Sequence, residues 1–349
     1  MASSTLHIDL DAIASNWKAL DAKSGPATQT AAVVKADSYG LGADRVARTL
    51  LRQGAKTFFV ALAEEGAKLR QAIGDGPEIF ILSGHMAGDR DMLVDLDLTP
   101  VLNSAEQVKR HMEVSPATPF GVQLDTGMNR LGLEDADWRA LAPMLLEKSP
   151  KLVMSHLSCS DEVHMGMNER QLAEFTRMTD GTGLRRSLSA TGGLIYGKEY
   201  HFDLVRPGIG LYGGMPFAEA RPVVTLSLPV IQTRMVEVGE TVGYGNTWEA
   251  KRRSHVATIS AGYADGISRR LSNNAQLWAG DTPCPLIGRV SMDLITVDIT
   301  DLDGTPEELD LLNTHQGVDA VADLIGTIGY EVLTSLGARY ERRYSETLA

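Results

Sequence analysis

A lysine placed directly behind an apolar run is the first residue with chemical potential in this chain. The stretch Ala31-Ala32-Val33-Val34-Lys35-Ala36-Asp37-Ser38-Tyr39-Gly40 ends a candidate strand on Lys35. A desolvated ammonium gives up its proton more readily, and the free amine forms Schiff bases. On position alone, a lysine snorkelling out of a strand end accounts for Lys35 better. Leu124-Asp125-Thr126-Gly127-Met128-Asn129-Arg130 puts a guanidinium on a Gly-containing turn, where it could clamp an anion at two points or simply open a surface helix. Met154-Ser155-His156 ends another apolar run on an imidazole. His156, Cys159, Asp161 and His164 invite a metal, but their spacing matches no zinc pattern and no metal is expected. Gly208-Ile209-Gly210-Leu211-Tyr212-Gly213 has dinucleotide spacing, yet Met215-Pro216 follows instead of a long helix. As a turn with exposed N–H groups it suits a monophosphate. Gly192 to Lys198 has Walker spacing, but Glu199 stands where a hydroxyl must hold magnesium. The turns Gly262-Tyr263-Ala264-Asp265-Gly266 and Arg289-Val290-Ser291-Met292-Asp293 are explained by hairpin chemistry alone.

These residues need elements to position them. Continuous apolar runs, the mark of buried parallel strands, fall at 30–34, 58–62, 78–82, 98–102, 120–124, 152–156, 187–190 and 202–205. Helical spacing is clearest at 43–51, 65–73, 104–112 and 169–178. Ser104 with Gln107 predicts a capping box. Eight strands with crossovers predict a (β/α)8 barrel over residues 1–222, a doubly wound sheet being the competitor. After Pro222 the pattern changes to short alternating strands at 236–242, 256–260 and 294–299, punctuated by glycines. Residues 223–349 therefore read as a separate, mainly-β domain, closing with an amphipathic stretch 320–336 and a basic tail.

Composition narrows the function classes. Of 349 residues, 43% are apolar and 22% charged, which provides a full-sized core. A net charge of −12 argues against a nucleic-acid partner. Two cysteines, Cys159 and Cys284, fit a reducing compartment. No signal peptide and no membrane-spanning run are visible, so a cytoplasmic location without membrane partners is expected.

Taken in order over essentially the whole chain, the motifs resemble alanine racemase. They are the run around Lys35, 124–132, Ser155-His156, Arg206-Pro207-Gly208-Ile209-Gly210-Leu211-Tyr212-Gly213, Gly243-Tyr244-Gly245, Gly262-Tyr263-Ala264-Asp265-Gly266 and Arg289-Val290-Ser291-Met292-Asp293. The resemblance implies an N-terminal barrel, a C-terminal β domain contributing to the partner's active site, and a head-to-tail homodimer using pyridoxal 5'-phosphate. It makes Lys35 the covalent holder of the cofactor. Tyr39, Thr191, the Gly208–Ile209 backbone and Tyr344 would hold the phosphate. His156 would lie beside the pyridine ring, Arg206 would face its nitrogen, and Arg130 would bond the phenolic oxygen and serve the substrate. Tyr263 and the Met292 backbone would come from the partner chain, Met292 near the substrate carboxylate.

Racemisation needs a proton removed from one face of Cα and returned on the other, so two acid/bases must flank it. By resemblance these are Lys35 and Tyr263. A tyrosine hydroxyl is a weak acid and needs help, here from His156 and Arg206. An arginine at the ring nitrogen keeps its own proton, which weakens the electron sink and limits transamination. The chain departs from the family pattern at Asp37 (usually Asn), Leu41 (often His), Thr191 (usually Ser) and Gln123 (often a carbamylated lysine). Gln cannot form a carbamate, so Arg130 needs another orienting partner, chloride or the amide itself. The expected role is D-alanine supply for peptidoglycan. The competing readings are a broad-specificity racemase of the same fold, a decarboxylase or aldolase, and a non-catalytic pyridoxal-phosphate carrier. The Tyr263 and Met292 motifs argue against the decarboxylase and the aldolase, and the β domain against the carrier.

Overall fold

A computed structural model describes residues 4–162 and 165–347. The chain divides into two compact units. One holds Ile13–Tyr212 and Pro216–Ala220; the other holds the residues up to Ala12, Gly213–Met215 and Arg221 onward.

In the first unit, seven strands lie in sequence order in one sheet. They are Ala32–Val33, Thr57–Val60, Glu78–Ile81, Thr99–Leu102, Gly121–Gln123, Leu152–Met154 and Arg186–Ser187, and every pairing is parallel. The eighth, Leu204–Val205, pairs in parallel with Gln29–Thr30, the stretch just before the first strand. It is also tied to the seventh, because Asp203 N–H donates to Arg186 O at 3.1 Å and Arg206 N–H to Ser189 O at 2.9 Å. The sheet thus curls until its two ends meet, the expected barrel rather than a doubly wound sheet. Phe58, Phe59 and Phe80 are fully buried on these strands, with Phe59 and Phe80 stacked at 5.0 Å. Continuous burial of this kind is why the strands read as apolar runs. The helices Ala43–Arg52, Ala63–Ile73, Ala105–Val114 and Met167–Thr179 fall where helical spacing predicted them. Ser104 caps its helix by accepting Gln107 N–H at 3.2 Å. The predicted reciprocal bond goes elsewhere: Gln107 Oε1 accepts the N–H of Asn103, one residue earlier, at 2.9 Å.

The second unit is an antiparallel barrel. Its sheet runs Ser254–Ile259, Ile295–Asp298, Thr282–Ile287, Gln276–Ala279, Glu308–Leu312, Val224–Val236 and closes back from Val224–Val236 onto Ser254–Ile259. The long strand Val224–Val236 can serve two partners because its register shifts between Val230 and Gln232, and a bulge bends a strand at that point. Its first half also carries the opening strand Thr5–Asp9, which in turn pairs in parallel with Glu341–Ser345. The alternating stretch 236–242, expected as one strand, is a turn between two. Gly239 has φ 86° and Glu240 N–H folds back to Glu237 O at 3.1 Å. The stretch 320–336 is two helices, Val318–Ile325 and Gly329–Ser335, because Gly326 adopts φ 73° and ends the first.

Candidate active site

The strand ends of the first unit gather the expected charges. Lys35 follows Val34, whose N–H still bonds into the sheet at Phe59 O, 2.9 Å. The next four residues, Ala36 to Tyr39, all have φ between 51° and 59°. A left-handed turn of L-residues is uncommon and costs about 1–2 kcal/mol per residue. It is held by Ser38 N–H to Val34 O at 3.0 Å, by Gly42 N–H to Asp37 O at 2.9 Å, and by the Asp37 carboxylate, which accepts Ala43 N–H at 2.7 Å. The Asp at 37 therefore caps the following helix. From the neighbouring segment, Glu65 accepts Ala36 N–H at 2.8 Å and Ala61 N–H at 2.7 Å.

Half-buried Lys35 has a lowered pKa, chiefly through desolvation and then through the positive charge of Arg130; Glu65 partly opposes this. A lysine held neutral more readily is a better nucleophile. Arg130 itself is exposed and pairs with no carboxylate among the described residues. Gln123 does not reach its guanidinium. Its amide instead donates to the backbone carbonyl of Leu131 at 3.1 Å, anchoring the turn one residue away.

His156 follows the strand Leu152–Met154, and its pKa is pushed down to about 3 by burial and by the charges of Arg206, Arg130 and Lys35. The ring is neutral at any ordinary pH, so it can accept as well as donate. Arg206 is 3% exposed. It donates to the Ser187 hydroxyl, to Ser155 O at 2.7 Å and to Leu188 O at 3.3 Å. No carboxylate pairs with it among the described residues, and burial lowers its pKa to about 9. It remains a cation at neutral pH. A buried guanidinium satisfied only by neutral acceptors holds its charge ready for a ligand.

The last strand leads into Gly208 and the turn Ile209–Tyr212. Thr191 Oγ accepts N–H bonds from Gly208 at 3.0 Å and Gly210 at 3.3 Å, which leaves its own proton free to donate. A Cβ on Gly208 would stand 2.4 Å from the Tyr39 hydroxyl. The Tyr39 ring packs on Tyr212 at 4.7 Å. Two hydroxyls and a glycine backbone thus converge, the donor set of a phosphate cradle. Together with a lysine of lowered pKa and a buried arginine, these residues fit a phosphorylated aldehyde cofactor such as pyridoxal phosphate.

Some positioning residues were missed from the sequence. Gln171, fully buried on the helix Met167–Thr179, donates to His156 O at 2.9 Å and to Thr126 Oγ at 3.2 Å. It ties the His156 loop to the Arg130 loop. A lone buried polar residue on a helix face was the only signal for it. Glu65, in an ordinary first-turn Glu pair, had none. Of the suggested metal cluster, His164 lies outside the described residues; among those described, no group of three His, Cys, Asp or Glu is placed to hold an ion.

Tyr263, Met292 and Tyr344 belong to the second unit. Tyr263 and Met292 are brought together on adjacent loops and are 45% and 54% exposed. Tyr344 lies on the strand Glu341–Ser345, opposite Ile8.

Known proteins align over the whole chain. A family model described as alanine racemase, N-terminal domain, matches residues 8–216, and one described as alanine racemase, C-terminal domain, matches 223–344. An alanine racemase of Cereibacter sphaeroides is 61% identical over 349 residues, 100% of both chains. That of Rhodospirillum rubrum is 42% identical, covering 98% of this chain and 96% of its own. Among solved structures, alanine racemase from Bartonella henselae with covalently bound pyridoxal phosphate has a TM-score of 0.93 at 36% identity, covering 99% of this chain and 100% of its own. The biosynthetic alanine racemase of Pseudomonas aeruginosa has a TM-score of 0.92, also at 36% identity, with the same coverage. With both family models matched in order and the fold shared end to end, this chain belongs to the alanine racemase family.

Proposed function

We propose that this protein interconverts L- and D-alanine with pyridoxal phosphate, by two-base chemistry shared between two copies of the chain. The observation that carries the reading is Lys35: an amine desolvated at a barrel strand end, its proton affinity lowered further by Arg130, beside a hydroxyl-and-glycine phosphate cradle. When bound, the cofactor supplies the electron sink for the pair left at Cα when its proton departs.

The chain's own residues do the rest. Lys35 holds the cofactor and moves a proton through Nζ on one face of Cα. The partner subunit's Tyr263 moves a proton through its hydroxyl on the other. Thr191, Tyr39 and the Gly208–Ile209 backbone bind the phosphate; Tyr344 is assigned there by resemblance alone. Arg206 would face the ring nitrogen and keep its own proton. Neutral His156 would lie beside the ring and serve as acceptor or donor toward the partner's Tyr263. Arg130 orients the phenolic oxygen and the substrate, and the Met292 backbone meets the substrate carboxylate.

A homodimer is supported by the exposure of large apolar side chains on the second unit, among them Tyr263, Met292 and, two residues on, Leu294. No helix among the described residues is long and apolar enough to cross a membrane. We place the enzyme in the cytoplasm, supplying D-alanine for peptidoglycan.

The test is a racemisation assay on both enantiomers of alanine, serine and lysine. Tyr263→Phe should cost about 10²–10⁴-fold in kcat while the cofactor spectrum persists. Full activity in Tyr263→Phe defeats the two-base reading. Preference for serine or lysine over alanine defeats the substrate assignment.

A further inference from the structure

The loop carrying Tyr263 and the loop carrying Met292 run side by side in the second unit. Tyr263 N–H donates to Ser291 O at 3.0 Å, and Ala264 N–H donates to Met292 O at 3.0 Å. The approach is so close that a Cβ on Gly262 would stand 2.3 Å from Met292 O and 2.4 Å from Ser291 O. The turn Tyr263–Asp265 is closed by the Asp265 carboxylate, which accepts Gly262 N–H at 2.9 Å. Asp265 is 5% exposed, and its carbonyl accepts Gly337 N–H at 3.0 Å.

One guanidinium spans both loops. Arg339 reaches Asp265 twice, Nε to Oδ1 at 2.5 Å and Nη2 to Oδ2 at 2.7 Å. Its remaining nitrogen, Nη1, donates to Asp293 Oδ1 at 2.7 Å. Asp265 is two residues past Tyr263, and Asp293 is one residue past Met292. A planar fork that is bidentate to one loop and bonded to the other fixes both distance and orientation. Without Arg339 the two carboxylates, each next to a residue assigned to the reaction, would lose their common cation.

We propose that Arg339 is a positioning residue for proton transfer: it locks the Tyr263 loop to the Met292 loop and so sets the Tyr263 hydroxyl against the substrate held at Met292. This rests on the reading of Tyr263 as one of the two bases. Arg339 bonds neither Tyr263 nor Met292 and acts only through the aspartates beside them.

The position of one base of two gives the proposal a specific signature. Each enantiomer loses its proton to a different base, so loosening Tyr263 alone slows removal on one face. The experiment measures kcat, KM and the Cα-deuterium isotope effect on holoenzyme from each enantiomer separately. The variants are Arg339→Lys, Asp293→Asn and, as reference, Tyr263→Phe. Arg339→Lys keeps the charge but loses the fork, and misplacement by about an ångström costs up to roughly 10²-fold in rate. The expected result is a kcat loss of about 10- to 100-fold. KM should change much less, and the isotope effect should rise only for the enantiomer whose proton removal Tyr263→Phe impairs. Asp293→Asn, which leaves the bidentate pair intact, should show the same one-sided rise more weakly; it carries the test if Arg339→Lys does not fold. An isotope effect that rises equally for both enantiomers, or that stays unchanged in both variants, overturns the proposal. If Tyr263→Phe itself shows no one-sided effect, the two-base reading has failed instead.

Discussion

The Glu65 carboxylate accepts the backbone N–H of Ala36 at 2.8 Å, one residue past Lys35. Its other oxygen accepts Ala61 N–H at 2.7 Å, so a single side chain staples the turn behind the reactive lysine to the end of the neighbouring strand. Its negative charge is also the influence that opposes Arg130 at Lys35. Glu65→Ala should lower the Lys35 pKa further and destabilise the unit by about 1–3 kcal/mol, the cost of leaving charged-acceptor bonds unmade. Titrating the rate of aldehyde addition to Lys35 in cofactor-free enzyme reads the first effect, with its midpoint moving to lower pH. Denaturant unfolding reads the second. An unmoved midpoint would mean that Glu65 is only a staple.

Gly208 is required by the Tyr39 hydroxyl, which a Cβ would meet at 2.4 Å. Tyr39 cannot swing freely because its ring packs on Tyr212. Gly208→Ala should therefore displace the cradle and not the fold. Overpacking of this kind costs about 1–3 kcal/mol, roughly 5- to 150-fold in cofactor dissociation. Spectroscopic titration with pyridoxal phosphate measures it, and parental affinity in the variant would show that the hydroxyl does not serve the phosphate.

Arg206 depresses the His156 pKa alongside burial. Arg206→Met removes that charge, and the imidazole pKa should rise above its present value of about 3. Proton NMR of the ring signals follows this directly. A His156 that stays unprotonated at the same low pH in the variant would leave the depression to burial and to the charges of Arg130 and Lys35.

Away from the site, His85 and His111 share a hydrogen bond, Nδ1 to Nδ1 at 3.0 Å, with both side chains buried. Burial lowers the His85 pKa to about 4, with His111 and Arg110 adding to the effect, and burial lowers that of His111 too. Both values lie below the unfolded one of about 6.5. As pH falls through 6.5 toward 4, the unfolded chain takes up protons that the folded chain refuses, so stability is full above about 6.5 and is lost on acidification. The melting temperature should fall between pH 7 and pH 5, and His85→Gln should flatten that fall. A variant with the parental pH slope would clear the pair of this role.

The barrel was legible because its strands are buried on both sides and so read as apolar runs, and because each run ends where the chemistry begins: Arg206 follows its strand directly, and Lys35 and His156 come one residue later. The positioning layer was not legible. Glu65 looks like a solvated helix start and Arg339 like part of a basic tail; each is defined by what it touches across the fold. Thr5–Asp9 is short, and its partners, Val224–Ser227 and Glu341–Ser345, lie far along the chain, so nothing local marks it. The stretch 236–242 misled because a tight turn of alternating valines and glutamates has the same period as a strand, and only Gly239 hinted at the reversal.

The left-handed turn at Ala36–Tyr39 carries a consequence for the order of events in the chain's life. Four L-residues do not choose that conformation locally. It exists because Glu65, Ala43 and the Gly208 region close around it, and all of these are synthesised after Lys35. A nascent or half-folded chain therefore carries at position 35 an ordinary, mostly protonated lysine that reacts with free aldehydes more slowly. The reactive amine comes into being with the finished domain and disappears when that domain opens.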